Sequence, residues 1–326
     1  MNSLLRINAL QKFYETKGVF GEKHLIKAVD GVTLEVKKGT TLGIVGESGC
    51  GKSSLAKTII GIEELTGGSV YVGEENLSSI DRSEKSSIIQ MIFQDPYNSL
   101  NPRKKAWELI GAPLIIKGKH TKEEVYQEAI KTMRLVGLPE ESAEKYPHMF
   151  SGGQRQRIGI ARALITKPKV IICDEPVSAL DVSIQAQIIN LLKNLQKELG
   201  ITYIFIGHDL SVIQYIADEI AVMYLGKIVE SGDVGEVFKK PLHPYTKALI
   251  NSSPEIDATK TIDDYEVIDG ELPSPADPPK GCHFHARCKD SMPECRNSYP
   301  SEFKLEGKRV KCHLYSPDRE SISMTQ

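Results

Sequence analysis

The stretch Gly46-Glu47-Ser48-Gly49-Cys50-Gly51-Lys52-Ser53 decides the fold, because its glycines and its Lys-Ser pair have the spacing of a phosphate-binding loop. It follows a short apolar run from Thr41 to Val45, which predicts a strand. A helix is predicted after it, from about Lys52 to Ile62. This order of strand, loop and helix is the context that the motif requires. The alternative is a glycine-rich turn with a chance Lys-Ser pair.

The residue types of this loop suit the oxygens of a nucleoside triphosphate. Glycines let the backbone fold so that its N–H groups and the helix N-terminus face phosphate. We expect Lys52 to reach the β and γ oxygens and the Ser53 hydroxyl to coordinate Mg²⁺. Cys50 is most simply a small residue that fills space. The predicted nucleotide contacts in the loop are Gly46, Glu47, Ser48, Gly49, Cys50, Gly51, Lys52, Ser53 and Ser54.

Two carboxylates follow a second apolar run, Val170 to Cys173, which predicts a strand buried on both faces. Asp174 and Glu175 then lie at the carboxyl edge of the sheet, where open α/β sheets bind ligands. Asp174 suits Mg²⁺ through its water shell, and Glu175 is placed to polarise an attacking water. Without a phosphate-binding loop upstream, such a pair is more often a solvated turn.

The first two thirds of the chain alternate strand-like and helix-like segments, which predicts an α/β fold with a mostly parallel sheet. Apolar residues recur at helical spacing from Ile184 to Leu199, and Ile201 to Ile206 predicts the next strand. Residues from about 95 to 165 lack a strong strand, and a capping box at Thr121 opens a helix to about Val136. We therefore predict a P-loop core over residues 1–255 with a helical subdomain at about 95–165. A small cysteine-containing extension over 256–326 completes the chain.

Composition excludes several classes of protein. The chain has 326 residues, 40% hydrophobic and 26% charged, with a net charge of −2. These values are ordinary for a globular domain and far from the basic balance of a dedicated nucleic-acid binder. The first 18 residues lack the apolar core of a secretory signal, so we expect the chain to stay in the cytoplasm.

A second candidate anion site is Ser151-Gly152-Gly153-Gln154, which opens a predicted helix through Arg162. Backbone N–H groups in a Ser-Gly-Gly stretch at a helix N-terminus approach oxygen closely. Alone, this stretch is only a helix cap. Its position between the phosphate-binding loop and the carboxylate pair makes it specific.

With this motif the chain resembles the ATP-binding-cassette ATPases, although Phe150 stands where the family more often has Leu. The resemblance implies that Gln94 senses Mg²⁺ and the attacking water and couples to a membrane partner. It also implies that His208 contacts the γ-phosphate and that the loop at Asp181 communicates across a dimer. Tyr14 resembles the aromatic residue that stacks on adenine, with Phe13 as the next candidate.

The same resemblance implies a head-to-tail dimer. The Ser151 loop of one subunit, with Gly152, Gly153 and Gln154, would complete the ATP site on the other. A lone subunit would then have no complete catalytic centre. The expected catalytic residues are Glu175, His208, Gln94 and Lys52, and the expected Mg²⁺ ligands are Ser53, Gln94 and, through water, Asp174.

Four cysteines, Cys282, Cys288, Cys295 and Cys312, lie in the last part of the chain. Thiolates close together in a cytoplasmic protein suggest a metal or cluster site. Structural zinc sites usually use cysteine pairs two to four residues apart, and no such pair occurs here. Eight basic and four acidic residues between Lys280 and His313 would offset the charge of a thiolate-ligated cluster. We favour a [4Fe–4S] cluster, with zinc or four simple reduced cysteines as the alternatives.

The segments Gly281 to Cys288, Cys312-His313 and His243 to Thr246 resemble the C-terminal extension of ATPase subunits of oligopeptide and dipeptide importers. This resemblance implies an iron–sulfur cluster in the extension. It also implies a second ATPase subunit, a paralogue or another copy, and two transmembrane permease subunits. An extracellular solute-binding protein would act indirectly, and the chain would lie on the cytoplasmic face of the membrane.

Other functions stay open at this point. Importers of nickel and other small solutes use closely similar subunits. A soluble cassette protein acting on nucleic acid or the ribosome is the rival in another class, although we expect no nucleic-acid partner. Residues from about 95 to 113 are expected to dock a permease helix, with Tyr97 and Leu100 as the contacts.

Overall fold

The computed structural model describes residues 3–17, 23–95, 97–252 and 270–317. Its strands are β1 Ser3–Lys17, β2 Lys23–Lys37, β3 Thr41–Val45, β4 Gly67–Val72, β5 Glu75–Asn76, β6 Ile89–Ile92, β7 Val170–Asp174, β8 Thr202–Ile206, β9 Glu219–Tyr224, β10 Lys227–Asp233, β11 Phe303–Leu305 and β12 Lys308–Val310. Its α-helices are α1 Lys52–Ile60, α2 Arg82–Ile88, α3 Ala106–Lys117, α4 Lys122–Leu135, α5 Gly152–Leu164, α6 Val182–Leu199, α7 Leu210–Ile216, α8 Val234–Lys239, α9 Pro244–Asn251 and α10 Pro293–Asn297.

Two sheets form the framework. The larger has eight strands in the order β11-β12-β10-β9-β3-β8-β7-β6, and the smaller has four in the order β2-β1-β4-β5. The five strands from β9 to β6 are parallel, and the remaining pairs in both sheets are antiparallel. The predicted α/β fold is confirmed, and β3 lies among the parallel strands with its carboxyl end at the phosphate-binding loop.

The core lies on both faces of the larger sheet. On one face, side chains such as Ile44 and Ile204 pack with α1 and with the smaller sheet. On the other face, Tyr203 and Phe205 pack with α6 and the helices beyond it. The parallel strands β3, β7 and β8 are buried along their whole length, which explains why each is a short and largely apolar run.

The helical segment between β6 and β7 is also confirmed. Over residues 97–169 the structure contains helices and turns but no strand, and α3, α4 and α5 pack on one another. The Thr121 hydroxyl caps α4 by accepting the Glu124 N–H at 3.2 Å, as the capping box predicts. The helix after the phosphate-binding loop ends at Ile60, two residues earlier than predicted, because Gly61 takes up a left-handed conformation with φ of 78°.

The C-terminal extension joins the large sheet. Strand β12 pairs with β10, with Val310 opposite Glu230, and β11 pairs with β12. The predicted boundary near residue 255 lies outside the described residues. The part of the extension that is described, 270–317, is thus continuous with the cassette through shared hydrogen bonds. No helix in the described ranges is long and apolar enough to cross a membrane.

Candidate nucleotide-binding site

The phosphate-binding loop runs from the end of β3 to the start of α1 in a conformation that requires glycine. Gly46 has φ of 153°, and a methyl group on it would lie 2.1 Å from the Met223 carbonyl oxygen. Gly51 has φ of 108°, and its methyl group would lie 2.1 Å from the Ala28 carbonyl oxygen. Neither position has room for a side chain, so the backbone itself lines the loop.

Lys52 spans this loop from the first turn of α1. Its side chain is buried, and its Nζ donates hydrogen bonds to the carbonyl oxygens of Gly46 at 2.7 Å and Glu47 at 2.9 Å. The Cys50 Sγ lies 3.8 Å from the same ammonium group. Burial raises the pKa of the Cys50 thiol, which keeps it neutral and supports its role as a space-filling residue.

Ser53 and Asp174 meet at the base of the site, where the Ser53 hydroxyl donates to the carboxylate at 3.2 Å. Burial raises the pKa of Asp174, the charge of Glu175 adds to this effect, and the hydrogen bond from Ser53 opposes it. A buried carboxylate beside a hydroxyl gains from a nearby cation, and these are the hard oxygen donors that Mg²⁺ prefers. The donor set therefore fits Mg²⁺.

Two predicted catalytic side chains converge on a carboxylate oxygen of a third, Glu175. Gln94 Nε2 donates to Glu175 Oε2 at 3.0 Å, and His208 Nδ1 lies 3.3 Å from the same atom. Glu175 has a positive φ of 45°, and its N–H donates to the Ile206 carbonyl at the end of β8. An unfavourable backbone conformation held by a neighbouring strand is typical of functional sites.

One cavity of about 600 Å³ collects most of the predicted residues. Its walls include Ile26, Lys27, Ala28, Gly226 and Pro275, which the sequence analysis did not identify. The predicted residues that line it are Tyr14, Ser48, Gly49, Cys50, Gly51, Lys52, Ser53, Ser54, Gln94, Glu175 and His208. Gly46, Glu47 and Asp174 are not among the lining residues, but each is hydrogen-bonded to a residue that is, Lys52 or Ser53.

Tyr14, and not Phe13, lines the cavity. Its hydroxyl donates to the Glu63 carboxylate and lies 3.2 Å from the Ser54 hydroxyl, and the Lys12 ammonium lies 4.8 Å from the ring centroid. The ring thus borders the same cavity as the phosphate-binding loop.

The Ser151 motif caps α5 and is absent from the described lining of this cavity. The Ser151 hydroxyl accepts the Gln154 N–H at 3.3 Å, and the Gln154 side chain accepts the Ser151 N–H at 3.0 Å. A methyl group on Gly153 would lie 2.6 Å from the Ile184 side chain, so close packing against α6 accounts for that glycine. Within one chain the structure does not bring this motif and the phosphate-binding loop to the same cavity.

The loop also touches the C-terminal extension, which the sequence analysis missed. Arg287 Nη1 lies 3.0 and 3.1 Å from the two carboxylate oxygens of Glu47. The Tyr245 hydroxyl accepts the Glu47 N–H at 2.9 Å. The signal in the sequence that could have indicated this contact is Glu47 itself, an acidic residue inside a loop that binds anions.

The four clustered cysteines are partly or fully buried. Burial raises the pKa of Cys288 to about 11 and of Cys312 to about 12, and the other cysteines of the cluster add to each effect. The described residues nevertheless contain no group of three or more His, Cys, Asp or Glu side chains that could hold a metal ion. Within the described residues, the structure therefore supports neither a zinc site nor a cluster site at these cysteines.

The strand, glycine loop and helix around Lys52, with the carboxylates opposite, define a P-loop nucleotide-binding protein. Residues 29–178 match the family described as "ABC transporter", and residues 229–295 match "Oligopeptide/dipeptide transporter, C-terminal region". The chain belongs to the ABC transporter family, as one of its ATPases, and its nucleotide is ATP.

Relatives match along almost the whole chain. The dipeptide transport ATP-binding protein DppF of Haemophilus influenzae is 47% identical over 95% of this chain and 96% of its own. The oligopeptide transport ATP-binding protein OppF of Escherichia coli is 53% identical over 84% of each chain. Among solved structures, the cassette MJ0796, described as a dimer, matches at a TM-score of 0.62 and 31% identity over 71% of this chain and 98% of its own. The cassette cbiO1 of Clostridium perfringens matches at a TM-score of 0.62 and 28% identity, over 74% of this chain and 92% of its own.

Proposed function

We propose that this chain powers the import of oligopeptides or dipeptides by hydrolysing ATP on the cytoplasmic face of a membrane transporter. The observation that carries the proposal is the continuous match to peptide-transport ATP-binding proteins, in the cassette and also in the C-terminal region at 229–295. The proposed partners are a second ATPase subunit, two permease subunits and, indirectly, a solute-binding protein.

The site residues support the following division of labour. Lys52 and the backbone N–H groups of the loop bind and neutralise the phosphates, while Tyr14 packs on the base. Ser53 and Asp174 would hold Mg²⁺, which neutralises the charge that develops during phosphoryl transfer. Glu175, held by Gln94 and His208, orients the attacking water. The Ser151 motif of a second subunit would close the site.

Permease docking is proposed for the surface around Tyr97, but one expected contact is wrong. Tyr97 is 57% exposed, whereas Leu100 is only 3% exposed and packs in the core. Leu100 therefore cannot contact a partner without unfolding its surroundings. The Arg155 guanidinium lies 4.1 Å from the Tyr97 ring centroid and holds the ring at the surface.

We further propose that the four cysteines ligate a [4Fe–4S] cluster. The support is that the four cysteines lie in one small segment of the extension and are partly or fully buried, and that four cysteine thiolates are the usual ligands of such a cluster. Anaerobically purified protein should then show visible absorption with stoichiometric iron and sulfide. A colourless protein that contains zinc or no metal would refute this part of the proposal.

Fractionation and uptake together test the transport function. Cells that carry the intact chain should take up labelled dipeptide and should yield the chain with their membranes. A Lys52→Ala strain should lose uptake while the chain stays with the membranes. Recovery with ribosomes or nucleic acid would favour the rival class, and loss of nickel uptake with intact peptide uptake would favour a nickel importer.

A further inference from the structure

Glu47 presents an electrostatic problem at the phosphate-binding loop. The loop binds an anion through N–H groups and Lys52, yet its second residue carries a carboxylate of the same sign as the ligand. At the separations found within one loop, and at the effective dielectric near a protein surface, a like charge opposes binding appreciably. Some feature must offset it.

Arg287, from the C-terminal extension, provides that offset. Its Nη1 lies 3.0 and 3.1 Å from the two oxygens of Glu47 and 3.3 Å from the Tyr224 hydroxyl. The Arg287 side chain is 7% exposed and the Glu47 side chain 24% exposed. Because the pair is shielded from water, its interaction is stronger than that of a surface ion pair.

An aromatic cluster holds the arginine in place. Phe284 is buried, and its ring centroid lies 5.3 Å from those of both Tyr224 and Tyr245. Tyr245 of α9 accepts the Glu47 N–H, so α9 holds the backbone of Glu47 while Arg287 of the extension holds its side chain. Leu272 also lies against Gly49, and Pro275 lines the cavity.

We propose that Arg287 is a positioning residue for the phosphate-binding loop, which it serves by neutralising the Glu47 carboxylate and holding it away from the phosphates. Arg287 is the ion-pair partner of Glu47 in the described part of the chain, and Lys52 is a cation of the same loop, with its Nζ on the Glu47 carbonyl. A carboxylate that turns toward Lys52 competes with the phosphates. The proposal goes beyond peptide import, and it rests on the proposed nucleotide site but not on the transported solute.

The test compares the binding of MgATP, MgADP and AMP to the full chain by calorimetry. Arg287→Ala should raise the Kd for MgATP roughly ten-fold. It should raise the Kd for AMP much less, because AMP lacks the β- and γ-phosphates that the loop beside Glu47 binds. The loss of MgATP affinity in Arg287→Ala should become smaller at high salt, because salt screens charge. Arg296→Ala removes an exposed charge from the same extension and should bind MgATP as the wild type does.

The decisive variant is Glu47→Gln combined with Arg287→Ala. Removing the acid together with its partner should bring the Kd for MgATP back to that of Glu47→Gln alone. A merely structural arginine would not be rescued in this way. Arg287→Lys keeps the charge and should therefore lose less affinity for MgATP than Arg287→Ala. Thermal unfolding of each variant will reveal any misfolding.

Two results would overturn the inference. Arg287→Ala could bind MgATP like the wild type, or the double variant could stay as weak as Arg287→Ala itself. A wild-type chain that binds no nucleotide would overturn the proposed ATPase site first, and this inference with it.

Discussion

Glu175 is the residue on which the proposed chemistry depends. It accepts a hydrogen bond from Gln94, and His208 approaches the same oxygen, so the carboxylate has a fixed direction. Its positive φ places it just beyond the buried end of β7, while its N–H stays bonded to β8. A general base contributes only when it is held within reach of the water that it activates.

Glu175→Gln should therefore separate binding from hydrolysis. The amide keeps the shape of the side chain but loses the proton acceptor, so phosphate release should fall about 100-fold or more. The Kd for MgATP should change little, because Lys52 and the loop remain. Glu198→Gln makes the same change at an exposed position and is the matched control. Rapid turnover in Glu175→Gln would show that another group positions the water.

At the scale of elements, α9 couples a buried histidine to the phosphate-binding loop. His243 Nδ1 accepts the Tyr245 N–H at 3.0 Å and so caps the helix. Burial lowers the pKa of His243 to about 3, against about 6.5 in an unfolded chain. The neutral imidazole is therefore the form that the fold requires, and Tyr245 then reaches Glu47.

This depressed pKa predicts a pH dependence of stability. Between its two pKa values the unfolded chain binds a proton that the folded chain does not, so the free energy of unfolding falls as pH drops below about 6.5. The loss is at most about 1.4 kcal/mol per pH unit. His243→Gln has no imidazole to protonate at this position, so it escapes this loss of stability at low pH. The difference in free energy of unfolding between the wild type and this variant should therefore narrow from about pH 7 to pH 5 in urea titrations. A constant gap would contradict the buried neutral histidine.

Strand β12 makes the extension part of the cassette. Val310 is fully buried, lies opposite Glu230 of β10 and packs with Leu242 and Cys312. Val310→Ala should lower the free energy of unfolding by about 2 kcal/mol, within one cooperative transition. Val182→Ala, at a position 81% exposed, should change it by less than about 0.5 kcal/mol. A separate early transition confined to the extension would contradict this prediction.

Local signals in the sequence predicted elements that are wholly buried or capped. The apolar runs of β3, β7 and β8, the capping box at Thr121 and the helical spacing of α6 were sufficient. The long strand β1 was not predicted, because only one of its faces is buried and irregularities at Ala9 interrupt its alternation. Which strand β12 would pair with, and which residue Arg287 would meet, depend on long-range packing that no local pattern encodes.

The candidate site shows the same division. The phosphate-binding loop and Glu175 were predicted because their chemistry requires specific residue types at a fixed spacing. Gln94 and His208 were identified only through the family resemblance. Leu100 was misjudged, since an apolar residue in a polar turn gives no local sign that it packs inward.

At the scale of the molecule, the separation of the two anion motifs is the central fact. The Ser151 loop caps α5, and the cavity that holds Lys52 is lined by other residues of the described chain. One subunit thus has its phosphate-binding loop in one place and the second candidate anion motif in another. Two copies placed head to tail would join each motif with its missing counterpart, and a solved cassette of this fold is described as a dimer.

Mixing two inactive variants tests this arrangement directly. Lys52→Ala removes the phosphate contact, and Ser151→Arg blocks the second motif, so each variant alone should hydrolyse no ATP, although Ser151→Arg should still bind it. In a mixed head-to-tail dimer, one of the two sites combines an intact Lys52 with an intact Ser151. Equal mixing should therefore restore about a quarter of the wild-type phosphate release per chain. Full hydrolysis by Ser151→Arg alone would show that the site is complete within one chain. A mixture that stays inactive would contradict pairing of the chain with itself, because the mixed dimers, half of all dimers at equal mixing, would each contain one intact composite site.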